Sequence, residues 1–469
     1  MRRNRNHATH SVAIKDCRQP HPPLSHLPPQ EWTMTRTQPA KRRELILRSA
    51  VQQRLLEPDH AVLAGFIDLD GVLASITDLH GAFPASLNVL HTVAAKANCL
   101  VPVLEAFSRN GMGCEVASPG ELAQALAAGF APERIVYDSP SKTRAELAQA
   151  LELGVAVNAD NFQELERMDS ILAGRASDSP IGVRINPQVG SGDIAAMSTA
   201  TLTSKFGIAL EDDGNRRRIV QEFQDRPWLT WLHAHVGSQG CPLELMAEGI
   251  AKTVALAEEI NASLGRRQVV GIDIGGGLPV NFTSDDTAPN FDEYVECLRA
   301  YAPALFSGAY QIVTEFGRSL LAKNGFTAAY VEYTKTSGGR RIAITHAGAQ
   351  VAARTVFMPD SWPIRITAHN PSGHLKEGAT APQDIAGPCC FAGDVVAQAR
   401  LLPVLEPGDI VTLLDTGAYY FSTPFHYNSL PDPAVYAVRT DPDGNLKFDL
   451  VRRAESIQEL LDRTGAQQL

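Results

Sequence analysis

The chain has 469 residues, 44% of them hydrophobic and 20% charged, with a net charge of -10. That length suits two domains, one of which can be a large α/β barrel, and the acidic balance counts against nucleic acid or an anionic membrane surface as partner. Seven irregularly spaced cysteines form neither a disulfide framework nor a paired CxxC metal site, an odd thiol count fits a reducing cytoplasm, and no apolar run reaches the roughly 18 residues of a membrane span.

Residues 1–44, rich in His, Pro, Arg and Thr and without an apolar h-region, read as a disordered tail rather than a secretory leader. Residues 45–85 form a lead-in whose apolar stretch AVLAGFIDLD is assigned to a β domain. From Leu87 onward, short apolar runs alternate with helical patterns. LNVLHTVAAK, CEVAS, RIVYDS, VAVNAD, IGVRINP, LTWLHAHVGS, VVGIDIGGG and YQIVTEFG are eight strands, with helices between them, over residues 86–325. This is the pattern of a (β/α)8 TIM barrel, with a doubly wound parallel sheet as the competitor. One helix start is sharply marked: Ser118-Pro119-Gly120-Glu121 places a hydroxyl at the N-cap, proline at the first helical position and a carboxylate three residues on. After Gly325 the runs FTAAYVEYT, RRIAITHAG, WPIRITAHN, DIAGPCC and DIVTLLDTG, broken by Gly, Pro and Asp, predict a C-terminal β-barrel or β-sandwich domain over 326–469.

Barrel active sites form where strands end. Lys96 closes the first barrel strand, His235 the sixth, Gly275-Gly276-Gly277 follow the seventh, and Glu315 with Arg318 follow the eighth. Each alone has an ordinary explanation: a solvated strand-end lysine, a core histidine, a tight strand exit, a strand-end carboxylate. Together they describe a site. Glycines after strand seven let backbone N–H groups approach a phosphate, a buried lysine beside a phosphate suggests a Schiff base, and a carboxylate facing a pyridine nitrogen keeps the ring an electron sink.

AAKAN, HVGS, DIGGG, EFGR, GPCCFAGD and GAYYFS, followed by HYNSLPDP, occur in the order found in the group IV pyridoxal-phosphate (PLP) decarboxylases. Over roughly Leu87 to Val438 the chain resembles that diaminopimelate and ornithine decarboxylase family. The resemblance implies an amino-acid decarboxylase with PLP on Lys96, His235 stacked on the ring and Glu315 at its nitrogen. Glu115 then lies near the Schiff base and Arg184 beside the ring. Ser238, Gly275, Gly276, Gly277, Arg318 and Tyr419 hold the phosphate, Arg318 and Tyr419 also meeting substrate. Cys390 protonates the carbanion from the neighbouring subunit, which implies a homodimer with shared active sites.

The substrate end departs from the family. Phe391 stands where ornithine and diaminopimelate enzymes carry an acid for the distal ammonium, and a phenyl ring cannot accept that bond. Arg354 falls where diaminopimelate enzymes hold the distal carboxylate, but Phe357 and Met358 replace the tyrosine region, and Leu430 and Asp432 stand in HYNSLPDP. Phe316 replaces the proline of EPGR. The expectation is a substrate other than ornithine, lysine or diaminopimelate. A PLP racemase or epimerase remains as an alternative, against which Glu315 argues, and so does a non-catalytic decarboxylase-like regulator, against which Lys96 and Cys390 argue.

Overall fold

The computed structural model describes residues 38–466 except 176, 195 and 196. Most of the expected tail lies outside these residues. Its last part does not fit the expectation, because a helix starts at Pro39 and runs to Gln52, with proline in its first turn. Ile46, Leu47 and Ala50 of that helix are buried in one apolar cluster with Phe66, Phe326 and Tyr330.

Strand β1 (Leu63–Asp68) follows, then a helix Leu69–Ala82 that packs on helices Phe291–Tyr301 and Arg318–Leu321. The lead-in is therefore divided: its strand joins the β domain and its second helix covers the barrel. The barrel strands are β2 (Val89–Ala94), β3 (Gly113–Val116), β4 (Ile135–Asp138), β5 (Ala156–Ala159) and β6 (Ile181–Asn186). A two-residue β7 (Ile208–Ala209) lies beside β6, and β8 (Leu229–His233), β9 (Gly271–Asp273) and β10 (Gln311–Phe316) complete the set. All pair in parallel, and two pairings close the ring: β5 with β6, and β10 with β2. The sequence alone left closure open; these pairings decide for the barrel over the doubly wound sheet.

Local chemistry sets the helix positions. Ser118 accepts from the Glu121 N–H at 3.1 Å, while the Glu121 carboxylate turns back to the Ala117 N–H rather than to the cap residue. Thr143 and Glu146 form a reciprocal capping box, and the same helix, Arg144–Leu153, ends on Gly154 at φ +82°. β3, β4 and β5 are buried along their whole length, as a filled barrel requires.

The β domain is a curled sheet of β11 (Gly325–Ser337), β12 (Arg340–Thr345), β13 (Ile366–His369), β14 (Thr380–Ala386), β15 (Val395–Pro403), β16 (Ile410–Leu414), β17 (Ala434–Thr440) and β18 (Leu446–Arg452), together with β1. β11 is long enough to serve twice. Its first half lies between β1 and β16, and its second half pairs with β12. The β domain also reaches the barrel mouth. The Tyr419 N–H donates to the Ala97 carbonyl at 2.7 Å, Asn98 Nδ2 to the Gly417 carbonyl at 3.0 Å, and Ser422 Oγ to the Lys96 carbonyl at 2.8 Å.

Candidate active site

Lys96 sits in a single turn, Ala95–Ala97, directly after β2, and its Nζ lies 2.5 Å from Glu115 Oε2 on the neighbouring β3. Burial works against charge on Lys96, but Glu115, Glu315 and Tyr419 outweigh it and hold its pKa above the ordinary lysine value. Burial likewise pushes the Glu115 carboxyl up to about 8, with Lys96 opposing and Glu315 and Asp138 adding to the rise.

Glu315 is buried on β10, 3.4 Å from His235 Nδ1 and 3.6 Å from His233 Nε2. Burial would protonate it; the charge of His233, supported by Asp138 and by the contact with His235, overcomes this and holds it well below the usual carboxylate range. Burial lowers His235 to about 4 despite Glu315, so its ring is neutral at pH 7. The Gly276 N–H also points at His235 Nδ1, at 3.2 Å. One nitrogen cannot accept from Gly276 and donate to Glu315 at once, so the neutral ring uses one of these contacts at a time.

The three glycines are held by their surroundings. Gly275 and Gly277 have φ of +65° and +92°, in the left-handed region that side chains resist. A Cβ on Gly276 would overlap the Glu315 carbonyl oxygen, and one on Gly277 would overlap the carbonyl oxygen of Gly237, the residue before Ser238. Arg318 and Arg354 share two aromatic rings: their guanidinium carbons lie 4.4 and 4.5 Å from the Tyr419 centroid, and 4.7 and 5.1 Å from that of Trp362. Among the described residues, Arg318 Nε and Nη2 and Arg354 Nη1 are buried without a hydrogen-bond partner. Burial and the neighbouring Arg354 lower Arg318 to about 10, against the pull of Tyr419 and Tyr420. Arg184, on β6, is buried with its guanidinium 4.4 Å above the Phe206 ring.

These residues fit PLP. A lysine next to a buried carboxylate, a side-chain-free loop, a charged acid at the barrel centre and buried guanidinium donors in need of acceptors are the donor set that an aldehyde, a phosphate and a pyridine nitrogen require. The structure thus brings Lys96, Glu115, His235, Gly275–Gly277, Glu315, Arg318, Arg354 and Tyr419 around one barrel mouth, with Arg184 beside them on β6.

Cys390 and Phe391 have their contacts in the β domain. Cys390 is exposed; its N–H donates to Asn428 Oδ1 at 2.6 Å, and Tyr427 Oη reaches its carbonyl at 3.4 Å. Phe391 stacks on Phe357 at 5.7 Å and meets Tyr427 edge-on, and Phe425 completes a four-ring cluster. Sequence reasoning missed this cluster, together with Trp362 and a buried layer of His233, Asp138 and Asp273. His233 carried a usable signal: it stands two residues before His235, hence on the same face of the chain.

Residues 70–322 match the family model "Pyridoxal-dependent decarboxylase, pyridoxal binding domain". The diaminopimelate decarboxylase of Pseudomonas aeruginosa is 31% identical over 369 residues, covering 78% of this chain and 84% of that enzyme. That of Pseudomonas fluorescens is 32% identical over 372 residues, covering 78% and 84%. The crystal structure of diaminopimelate decarboxylase from Helicobacter pylori complexed with L-lysine superposes with a TM-score of 0.77 at 27% identity, over 89% of this chain and all of that one. The chain belongs to the PLP-dependent decarboxylase family. It is a PLP-dependent carboxy-lyase of the diaminopimelate and ornithine decarboxylase group.

Proposed function

We propose that this enzyme decarboxylates an amino acid whose far end carries no cation, using a site completed by a second copy of the chain. The observation that carries the substrate reading is Phe391. It is one wall of the aromatic cluster formed with Phe357, Phe425 and Tyr427, where an ammonium would lose its water without gaining a carboxylate. Arg354, half-buried and with a buried, unpartnered Nη1, offers a partner for a distal carboxylate.

PLP, when bound, supplies the sink for the electron pair left as CO2 departs. Lys96 Nζ would hold the cofactor through its aldehyde, and Glu115, 2.5 Å away, would take and return protons at that nitrogen. His235, neutral, would pack against the cofactor, and Glu315 would favour a proton on its pyridine nitrogen. The Gly275–Gly277 loop, Ser238, Arg318 and Tyr419 would bind the phosphate, and Arg184 would border the ring. Cys390 Sγ, reaching over from the second copy, gives the final proton to the substrate carbon. Its exposure in the single chain supports a face that meets a partner. The six described cysteines are free, as suits a reducing compartment, and no described helix is long and apolar enough to cross a membrane.

A second reading is favoured by the Pseudomonas relatives and by Arg354: the substrate is diaminopimelate itself. One experiment separates the two. The purified enzyme is offered a panel of amino acids, and CO2 and amine are measured. Efficient turnover of diaminopimelate, ornithine or lysine overturns the first reading; turnover of substrates with an apolar or carboxylate terminus alone overturns the second.

A further inference from the structure

We infer that His233 is a positioning residue for the cofactor: from below Glu315 it supplies the positive charge that keeps that carboxylate ionised against the pyridine nitrogen. The inference rests on the reading above, in which Glu315 faces that nitrogen.

The geometry is a closed layer across the barrel. His233 ends β8, Asp138 ends β4 and Asp273 ends β9, and all three side chains are buried with Glu315. His233 Nδ1 lies 3.4 Å from Asp138 Oδ1, and Nε2 lies 3.6 Å from Glu315 Oε2, so the ring bridges two acids. In the strand register His233 stands opposite Arg184 of β6 on one side and Asp273 of β9 on the other. Asn158 on β5 points its Nδ2 at Asp273 Oδ2, at 3.4 Å, and Asp273 Oδ1 accepts from the Gly275 N–H at 2.9 Å. The layer is thereby tied to the phosphate loop. Glu115 on β3, Lys96, and His235 on the same chain segment are the remaining ionisable groups around it.

Counting charge explains why a histidine is needed. Four carboxyl groups, Glu115, Asp138, Asp273 and Glu315, surround Lys96 and His233. Lys96 is already paired to Glu115. Without His233, Glu315 would share the interior with two further acids and no cation of its own, and its proton affinity would rise. The directions of titration agree. Burial opposes charge on His233, but Asp138, Asp273 and Glu315 hold it protonated. Burial raises Asp138 and Asp273, with Glu315 adding to the rise and His233 opposing it, whereas Glu315 itself is held low. Such separation of neighbouring proton affinities marks groups with different tasks.

The test compares wild type, His233→Asn, Glu315→Gln and the double variant. Two quantities are read besides turnover: PLP affinity of the apo-protein, by fluorescence titration, and the pH dependence of the bound cofactor's visible absorption. The expected result for His233→Asn is about tenfold weaker PLP binding, with the absorption transition moved by about one pH unit, one unit being the equivalent of a tenfold change. Adding His233→Asn to Glu315→Gln should change neither further, because the histidine acts through that carboxylate. If Glu315→Gln itself leaves the cofactor's titration unchanged, the assignment of Glu315 to the nitrogen fails, and this inference fails with it. If Glu315→Gln shifts the titration and His233→Asn does not, only the inference is overturned. Equal effects of His233→Asn with and without Glu315 also overturn it, since they mark a structural residue. His233→Gln is the second variant should asparagine not fold, and failure of both to fold counts against the proposal in the same way.

Discussion

Gly276→Ala tests whether the phosphate loop and the barrel centre form one rigid device. The new methyl would overlap the Glu315 carbonyl oxygen and lie 2.7 Å from its carbonyl carbon. That is roughly 0.8 Å inside the ~3.5 Å at which carbon atoms attract rather than repel. Both neighbours are backbone, so no side chain can swing away; either the loop or β10 must move by close to this amount. Overpacking of this kind costs about 1–3 kcal/mol of stability. The larger effect falls on function, because a displacement near 1 Å at a catalytic group can cost about a hundredfold in rate. PLP affinity and kcat/KM should therefore fall together, kcat/KM by about two orders of magnitude. The control is Gly154→Ala at the end of helix Arg144–Leu153. There φ is +82° and nothing lies within 4 Å, so about 1 kcal/mol of backbone strain should appear without loss of activity. Fluorimetric PLP titration, CO2 release and urea unfolding measure the three quantities. A Gly276→Ala enzyme with wild-type PLP affinity and turnover would refute the reasoning.

Borohydride reduction of the holoenzyme should fix a pyridoxyl group on the Lys96 peptide; mass spectrometry finding it on another lysine contradicts the assignment. Mixing Lys96→Ala and Cys390→Ala proteins should restore about a quarter of wild-type activity, since half the exchanged dimers then hold one intact site; no recovery after verified exchange means each chain builds its own. His235, lowered to about 4 in the fold by burial, contributes stability that is complete above its unfolded pKa near 6.5 and is lost as pH falls toward 4, because the unfolded ring takes a proton the folded ring refuses. Between pH 7 and 5 the wild-type apo-protein should lose about 2 kcal/mol more than His235→Phe in urea unfolding, and parallel losses would be the contrary result. Phe391→Glu should lower turnover of the native substrate by desolvating an unpaired carboxylate and raise a trace of activity on diaminopimelate or ornithine; unchanged kinetics would place Phe391 outside the pocket.

What could be read from the sequence follows from how local each signal is. Barrel strands announce themselves because each is a short apolar run fenced by a capped helix, as at Thr143 and Gly154. Residues at the strand ends, from Lys96 to Arg318, followed from those positions. Their layer partners did not: Asp138 and His233 look like the last residues of ordinary strands until the ring closes and turns them toward one another. β17 pairs with β1, Ala434 opposite Ala64, which no local pattern reports, but its hairpin with β18 across the Asp443-Gly444 turn was a local signal that went unread. The helix Ala349–Phe357 starts on Gly348 without a side-chain cap, so it lacked the mark that made the barrel helices visible. Closure of the barrel is of the same kind. It depends on β5 meeting β6 and β10 meeting β2, contacts that no single segment encodes.

The two halves of the site are built from different materials, and that difference bears on specificity. The cofactor half consists of strand ends and backbone: the Glu315 carbonyl against Gly276, the Gly237 carbonyl under Gly277, and the Tyr419 N–H on the Ala97 carbonyl. Changing any of these disturbs the barrel itself, so the cradle has little freedom. The far half is made of side chains on β-domain loops and one short helix. Phe357 is 55% exposed and Tyr427 40% in the single chain, so replacing either costs the core little. Phe391 occupies the family's acid position within that tolerant half, while Arg354, one turn before Phe357, is held between Tyr419 and Trp362 beside Arg318. A guanidinium packed beside Arg318 between two rings is hard to lose, and an acid on an open loop is easy to lose. On the substrate reading proposed above, recognition of a distal carboxylate would then be kept and recognition of a cation given up, and the amino-acid panel tests that order.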